Sequence, residues 1–450
     1  MSAGFAVPPV SFAEAFRFWL KLGFISFGGP AGQIAIMHHE LVEKRRWISE
    51  ARFLHALNYC MVLPGPEAQQ LATYIGWLMH RTLGGIVAGG LFVLPSLFIL
   101  ILLSWLYVVF GNLPTASDIL YGIKPAVVAI VLFAAYRIGS RALDNAVLWA
   151  VAAIAFIAIF AFQIPFPWIV LGAGAVGAVG GRFAPAFFSR SAHQKAQTVH
   201  GPALIDDHTP TPDHARFTWP RLLIIIATGV GLWAAAITLL MLLFGAQSKL
   251  AGMAWFFTKA ALLTFGGAYA VLPYVFQGAV ESFGWLTATQ MIDGLALGET
   301  TPGPLIMVVA FVGFVGGWSA EMAGGGASHA FLAGAVAASA VTYFTFLPSF
   351  IFILAGGPVI ETTHRQLRVT APLSAITAAV VGVIVNLAAF FAYHVLWPGG
   401  FAAPFEWPVL LIGIIASIAL FRFRLGVIPV ILGCGAAGLV YHLAIRPFLA

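Results

Sequence analysis

The sequence predicts an all-α polytopic membrane protein with two inverted-topology repeats of broken or re-entrant helices. Its 450 residues are 61% hydrophobic and only 8% charged, whereas soluble domains are about 25% charged. Apolar stretches long enough for the roughly 30 Å of a bilayer core recur from end to end. Gly and Pro interrupt these stretches at matching places in the two halves. A water-soluble surface cannot be assembled from this composition.

The matching places define an internal repeat with a constant spacing of 238 residues. Residues 21–66 align with residues 259–304 without a gap. The aligned breaks are Phe27-Gly28-Gly29 with Phe265-Gly266-Gly267, and Pro64-Gly65-Pro66 with Pro302-Gly303-Pro304. Broken helices are tolerated in a membrane only where the backbone lines a cavity or meets a ligand. Their recurrence predicts a duplicated unit with a site at the breaks.

Three regions follow from this repeat. Residues 1–181 are expected to form the first repeat, residues 182–251 a hydrophilic linker plus one connecting transmembrane helix, and residues 252–450 the second repeat. Each repeat is expected to hold six apolar segments, which gives about 13 segments with the connecting helix. Because six crossings plus one make an odd number, the second repeat enters the membrane from the opposite side. The repeats are therefore predicted to be inverted.

The positive-inside rule predicts a cytoplasmic amino terminus and a periplasmic carboxyl terminus. In that orientation the residues inside are Arg81, Arg137, Arg141, Arg182, Arg190, Lys195, Arg216, Arg221, Arg365, Arg368, Arg422 and Arg424. Lys249 and Arg446 lie outside. The basic loop at 44–52 fits only if the first two segments of each repeat are re-entrant and turn back at their breaks. Full crossing is the alternative, and inversion holds with either arrangement.

The breaks favour an anionic substrate, because the amino-terminal ends of half-helices carry partial positive charge and free N–H donors. Hydroxyl and amide groups flank the breaks and could hydrogen-bond an oxyanion. Taken singly, each of them could equally satisfy a neighbouring carbonyl. The predicted substrate-binding residues are Lys21, Ser26, Gly28, Gly29, Pro30, Gln33, Asn58, Pro64, Gly65, Pro66, Gln69, Lys259, Thr264, Gly266, Gly267, Thr300, Thr301, Pro302, Gly303 and Pro304.

Four charged residues near the breaks have two interpretations each. Lys21 and Lys259 place an ammonium within two helical turns of a break, where it could attract the substrate or instead snorkel to the interface. Glu67 and Glu299 adjoin the two Pro-Gly-Pro segments and are candidate proton carriers. Helix capping is the alternative for Glu67.

Other functions lack support in the sequence. The excess of Lys and Arg over Asp and Glu is explained by membrane topology, so it does not indicate a nucleic-acid role. We find no P-loop, nucleotide fingerprint, cysteine cluster or haem-type histidine pair, so neither an enzyme nor a bound cofactor is expected. Neighbouring residues on a helix do not share a face, so His38, His39 and Glu40 are not expected to form a metal site. The linker, with His193, His200, His208 and His214, is expected to be a solvated, partly disordered tether.

The break motifs identify a family. Residues 18–30, the Glu43-Lys44-Arg45-Arg46-Trp47 stretch, Leu63-Pro64-Gly65-Pro66 and their second-half counterparts resemble the chromate ion transporter family in its long, two-repeat form. The resemblance implies a bacterial inner-membrane protein that exports chromate, confers chromate resistance and is coupled to the proton gradient by antiport. It implies sulfate as a competing isostere. A transporter for sulfate or another oxyanion, working inward, is the alternative, and a homodimer is left open.

Overall fold

The computed structural model describes residues 9–188, 202–206, 209–210, 212–265, 267–321, 326–362 and 370–448. These residues are mostly helical, and the β-structure among them is an isolated bridge between Ile48 and Ile205. The first repeat contains α1 (Phe12–Ile25), α2 (Gly29–His38), α3 (Glu50–Val62), α4 (Glu67–Phe110), α5 (Pro114–Ala142), α6 (Ala146–Phe160), α7 (Phe166–Phe183) and the short α8 (Pro185–Phe188).

The second half repeats this order after the connecting helix α9 (Trp219–Phe244). It contains α10 (Lys249–Leu263), α11 (Ala268–Phe276), α12 (Ala288–Thr300), α13 (Val308–Glu321), α14 (Gly326–Thr362), α15 (Thr370–Leu396), α16 (Trp407–Phe421) and α17 (Val427–Val440). Matching π-helical turns, His39–Lys44 and Gln277–Ser282, follow α2 and α11. From α1 to α3 the helix bounds therefore recur in α10 to α12 at the spacing found in the sequence.

Seven of the described helices are long and apolar enough to cross a membrane, and three shorter apolar helices accompany them. Most of the side chains on α9 are exposed, and these include large apolar ones such as Leu223, Ile224 and Leu242. Exposed apolar helices of this length are stable only in lipid. The protein is a multi-pass membrane protein.

The first broken segment turns back on itself instead of crossing. The Arg45 guanidinium, after α2, lies 3.6 Å from the carboxylate of Glu14 in the first turn of α1. The Phe18 and Trp47 rings are 5.0 Å apart. The start of α1 and the end of the π-helical turn therefore lie together, as the re-entrant prediction requires.

A second hairpin lies within α4, whose backbone leaves the helical region at His80 (φ −134°, ψ 36°) and Arg81 (φ 56°, ψ −159°). A Cβ added at Gly76 would lie 2.5 Å from the carbonyl oxygen of Gly84. Those residues would be about 12 Å apart in a straight helix, so residues 67–79 and 82–110 form two antiparallel arms. In the second repeat, α13 and α14 pack on each other as the corresponding pair.

The two repeats are interlocked by their later helices. Helix α5 packs against α15, α16 and α17, while α15 packs against α5, α6 and α7. The second arm of α4 packs against α14, its counterpart in the other repeat. Each repeat thus supplies the apolar surface that covers the other, and the largest hydrophobic cluster draws residues from both.

The described part of the linker docks on the first repeat and defines one face of the protein, which we call the linker face (residues 44–52, 202–206, 209–210, 212–215 and 361). Ile205 N–H donates to the carbonyl of Trp47 at 3.1 Å, and Ser49 N–H donates to the carbonyl of Ile205 at 2.9 Å. Ile205 and Ala215 are buried. The expectation of a solvated tether is wrong for this part of the linker, and His193, His200 and His208 lie outside the described residues.

The opposite face, which we call the far face, comprises residues 107–118 and 283–293. The second arm of α4 starts beside the linker face, because His80 at the bend lines a small cavity together with Leu204 and Ile205. The same arm reaches the far face at Tyr107, whose hydroxyl donates to Asp293 at 2.9 Å. At 1.5 Å per residue the arm covers about 43 Å, more than a bilayer core.

Helix α14 also joins the two faces, since the ring of Phe331 near its start lies 6.1 Å from that of Trp105, two residues before Tyr107. Its end carries Glu361, which forms a buried ion pair of 2.8 Å with Arg52 on the linker face. Tyr74 donates a 2.5 Å hydrogen bond to the other oxygen of Glu361. The returning ends of the broken helices in repeat one therefore lie at the linker face, and those in repeat two lie at the far face.

Candidate functional site

The four helix breaks meet as two crossed pairs. We call the described non-helical residues at each break a tip: 26–28, 63–66, 264, 265 and 267, and 301–304. Gly65 N–H donates to the carbonyl of Thr264 at 2.7 Å, and Gly303 N–H donates to the carbonyl of Ser26 at 2.8 Å. The two bonds are equivalent under the 238-residue spacing. Each repeat therefore binds the other through its tips.

Glycine is required at two of the tips. Gly65 and Gly303 have φ of +128° and +101°, values that residues with a side chain rarely adopt. A Cβ added at Gly303 would lie 2.8 Å from Cβ of Ser96, and one at Gly65 would overlap Oγ of Ser349. The backbone of each tip is thus pressed against a serine of the other repeat.

These two serines were missed by the sequence analysis. Ser96 and Ser349 end identical Leu-Pro-Ser triplets, on the second arm of α4 and on α14. The triplets are 253 residues apart, so a comparison at the single spacing of 238 does not align them. Searching for repeated triplets would have found them. The buried hydroxyl of Ser96 has no hydrogen-bond partner among the described residues.

Three buried glutamines lie near the tips, and two of them, Gln33 and Gln70, donate to tip carbonyls. The amide nitrogen of Gln33 donates to the carbonyls of Gly303 and Ser26, the latter at 3.4 Å. Gln70 donates to the carbonyl of Pro64 at 2.8 Å, and Gln69 donates to the hydroxyl of Thr73 at 3.0 Å. The amide oxygens of all three have no partner within the described part of the chain.

The predicted hydroxyl groups use their protons within their own helices. Ser26 donates to the carbonyl of Leu22 at 2.7 Å, and Thr264 donates to that of Ala260 at 2.6 Å. Thr300 and Thr301 likewise donate to carbonyls of α12, each at 2.9 Å. In this structure these four hydroxyls follow the alternative in which each satisfies a neighbouring carbonyl.

Arg137 on α5 brings a positive charge to the tips, whereas its place in the sequence indicated only a topological role. A Cβ added at Gly29, the first residue of α2, would lie 3.9 Å from an Nη of Arg137. Arg137 also interacts electrostatically with Glu299 and Tyr269. The hydroxyl of Tyr269 donates to the buried carboxylate of Glu299 at 2.6 Å. A guanidinium thus lies where the partial positive charge of α2 begins.

Glu67 lies beside the corresponding helix end of the second repeat. A Cβ added at Gly267, just before α11, would lie 3.8 Å from Oε1 of Glu67. A carboxylate is favourable at a helix amino terminus. The two equivalent helix ends therefore differ, since α2 faces a cation and α11 faces a carboxylate. Gly266 lies outside the described residues.

The remaining predicted residues are more peripheral. Lys21, Asn58 and Lys259 are exposed. The ammonium of Lys259 lies 6.0 Å from the centre of the Trp255 ring, an arrangement typical of the membrane interface. Gly28 adopts φ +88° and precedes Gly29 and Pro30 at the start of α2. Pro66 and Pro304 occupy the position before the next helix at their tips.

The fold and the site define a class of protein, a membrane transporter whose discontinuous helices meet between two repeats. Comparison with known sequences identifies the family: the chromate transporter family matches residues 13–178 and 251–439. The chain belongs to the chromate transporter family, which supports a transporter and not an enzyme.

Named relatives extend over nearly the whole chain. A chromate transport protein of Pseudomonas aeruginosa is 33% identical over 96% of this chain and 92% of its own length. A chromate transport protein of Cupriavidus metallidurans is 27% identical over 97% and 94%, respectively. A probable chromate transport protein of Synechococcus elongatus is 27% identical over 92% and 90%. No solved structure matches the chain.

Proposed function

We propose that this chain exports chromate across a bacterial inner membrane, and that the ion binds where the tips cross. The family and the names of the relatives support chromate as the substrate. The proposed orientation has the linker face and the amino terminus in the cytoplasm and the carboxyl terminus in the periplasm. The basic residues Lys44, Arg45 and Arg46 on the linker face support it.

We also propose that the two repeats, residues 1–181 and 252–450, are inverted. Two observations support inversion. The returning ends of the broken helices lie at opposite ends of α14 and of the second arm of α4. The tips exchange equivalent backbone hydrogen bonds, as a two-fold axis between the repeats would require.

The observation that carries the proposed function is the position of Arg137 beside Gly29. Chromate is a tetrahedral dianion, and a buried dianion needs both positive charge and hydrogen-bond donors. The guanidinium supplies charge and a planar fork of donors that suits an oxyanion. The first turn of α2 supplies backbone N–H groups without partners inside the helix. Together they would bind two oxygens of the ion from adjacent directions.

Export is supported by electrostatics. Moving a dianion outward in an inside-negative potential of about 100 mV releases about 4.6 kcal/mol. This drive does not depend on protons, although antiport with a proton would add to it. Glu67 and Glu299 are the proposed coupling carboxylates, because both lie at helix ends beside the tips.

A second candidate is uptake of chromate or sulfate together with a proton. The observation that favours it is the electrostatic interaction between Glu299 and Arg137. Protonation of Glu299 would remove a negative charge that competes with the anion for the guanidinium, so a proton and an oxyanion would bind together. Ligands that bind together are expected to move in the same direction. The direction of transport separates the two candidates.

The test compares Arg137 variants in everted and right-side-out vesicles that are given labelled chromate. Wild-type protein should accumulate chromate in everted vesicles if it is an exporter, and in right-side-out vesicles if it works inward. We expect Arg137→Ala to reduce the initial rate by about 10- to 100-fold, the value of one or two charged hydrogen bonds. Arg137→Lys should lie between, since it keeps the charge and loses the fork.

Arg141→Ala is the matched control, because Arg141 lies one turn further along α5 and is exposed. It should transport chromate at the wild-type rate. An Arg137→Ala rate equal to that of the control would contradict the proposed site. Selectivity is measured by adding excess unlabelled sulfate. If the site distinguishes chromate from sulfate poorly, sulfate will compete and the uptake of labelled chromate will fall.

A further inference from the structure

A second polar cavity lies at the far face, away from the tips. It has a volume of about 340 Å³ and is lined by polar side chains, among them Asn112, Ser117, Lys124 and Thr289. Asn112, Ser117 and Thr289 are exposed and form its mouth. The site proposed above uses none of these residues, so the cavity has no function assigned to it.

The carboxylate of Asp293 lines this cavity. Asp293 is only 2% exposed. One of its oxygens accepts a hydrogen bond of 2.9 Å from Tyr107, and the other has no partner among the described residues. Lys124 interacts electrostatically with the carboxylate from the cavity wall. A buried carboxylate with an unpaired oxygen is costly as an ion, and the cavity connects it to the solvent.

The position of Asp293 in the chain links it to the tips. Asp293 and Glu299 lie on the same helix, α12, which ends at the tip that binds Ser26. Under the 238-residue spacing, Asp293 corresponds to His55 in the first repeat. Both repeats therefore carry a titratable residue at this place, each on the helix that leads into a Pro-Gly-Pro break.

We propose that Asp293 is a proton-binding site that faces the far side of the membrane and couples transport to the pH there. The groups that face it are Tyr107 from α4 and Lys124 from α5. With Asp293 ionised, the pocket holds one negative and one positive charge. Protonation leaves Lys124 uncompensated and so changes the electrostatic potential that an anion meets at the far face. The coupling role rests on the proposed transport function, whereas proton binding does not.

Infrared difference spectra between acidic and neutral pH test proton binding directly. Wild-type protein should show the carbonyl stretch of a protonated, buried carboxyl group, and Asp293→Asn should lack that band. Asp118→Asn is the matched control, because Asp118 is also at the far face but pairs with His442 at 3.6 Å. The control should keep the band. If the spectra of Asp293→Asn and wild type are the same, the proposal is wrong.

Flux measurements in proteoliposomes then test coupling. Asp293→Asn should reduce the chromate flux that a pH step drives by about tenfold. The exchange of labelled for unlabelled chromate should stay at the wild-type rate. An equal loss of both fluxes would indicate a structural role and overturn the coupling role. Wild-type protein that shows the infrared band but no chromate flux would instead remove the proposed function and leave the proton site standing.

Discussion

The two repeats share a backbone but not the chemistry at their tips. Helices α1 to α3 and α10 to α12 have matching bounds, matching π-helical turns and reciprocal tip bonds. The first repeat has Gln33, Glu67 and Gln70 where the second has Val271, Leu305 and Val308, and the second has Tyr269 and Glu299 where the first has Ala31 and Met61. The two repeats thus keep the same geometry where the tips cross. The amides of Gln33 and Gln70 lie only in the first repeat, and the Tyr269–Glu299 pair lies only in the second.

The largest effect is expected where the repeats are most alike, at the tip glycines. Gly65→Ala and Gly303→Ala should each destabilise the protein by about 3 kcal/mol, because a positive φ costs about 1–3 kcal/mol and the added Cβ overlaps a serine. Thermal unfolding in detergent should show similar losses for both variants.

Gly90→Ala is the control for these variants, since a Cβ there meets no atom within 4 Å. It should be neutral or slightly stabilising in a helix. If Gly303→Ala is as stable as this control while Gly65→Ala is not, the crossing is not equivalent in the two repeats.

A smaller effect is expected where the repeats differ, at the amides. Gln33→Val places the second-repeat residue in the first repeat and removes the donor to two carbonyls, including that of Gly303. We expect a loss of about 1–3 kcal/mol. Gln70→Val removes a bond to the carbonyl of Pro64 within the same tip and a longer one, of 3.5 Å, to the hydroxyl of Ser349, and should cost about 1 kcal/mol. Equal losses in thermal unfolding would show that the bond from Gln33 to the carbonyl of Gly303 contributes nothing extra.

The smallest effect concerns the linker, which the structure shows docked on the first repeat. His214 Nε2 lies 2.9 Å from the carbonyl oxygen of Trp77 and donates to it. Burial lowers the pKa of His214, and the charges of Arg81 and Arg221 lower it further. Below about pH 6.5 the released linker therefore binds more protons than the docked one, so docking should weaken as pH falls.

Tryptic cleavage after Arg216, normalised to an unstructured peptide, measures this docking. Wild-type cleavage should accelerate between about pH 7.5 and pH 5.5, across the ordinary pKa of histidine. His214→Gln keeps a donor but does not titrate, so its cleavage should not depend on pH. A wild-type rate that also ignores pH would show that His214 does not control the linker.

Much of the backbone could be predicted because Gly and Pro act locally. The breaks at Gly28 and Gly65 follow from residues that interrupt helices regardless of their neighbours. The sequence also predicts separate apolar segments ending at Met79 and beginning at Gly84, and the bend at His80 and Arg81 falls in the gap between them. The docked linker could not be predicted, because its polar composition is also that of a solvated chain.

The chemistry of the site was harder to predict because it depends on packing. Arg137 resembles any basic residue near a helix end, and only the packing of α5 brings it to Gly29. The bond between Gly65 and Thr264 joins backbone groups, which every sequence supplies alike. The predicted hydroxyls had two interpretations that differ only in the direction of one O–H bond, and the sequence cannot fix that direction.

The crossed hydrogen bonds have a mechanical consequence. Because Gly65 is bound to Thr264 and Gly303 to Ser26, withdrawing one pair of helices joined at a tip from the centre breaks a backbone hydrogen bond with the opposite repeat. A joint rotation of the two bonded helix pairs preserves these bonds and costs less. The repeats would then move like two halves of one hinge, so that a gap widening toward one compartment narrows toward the other in the same stroke.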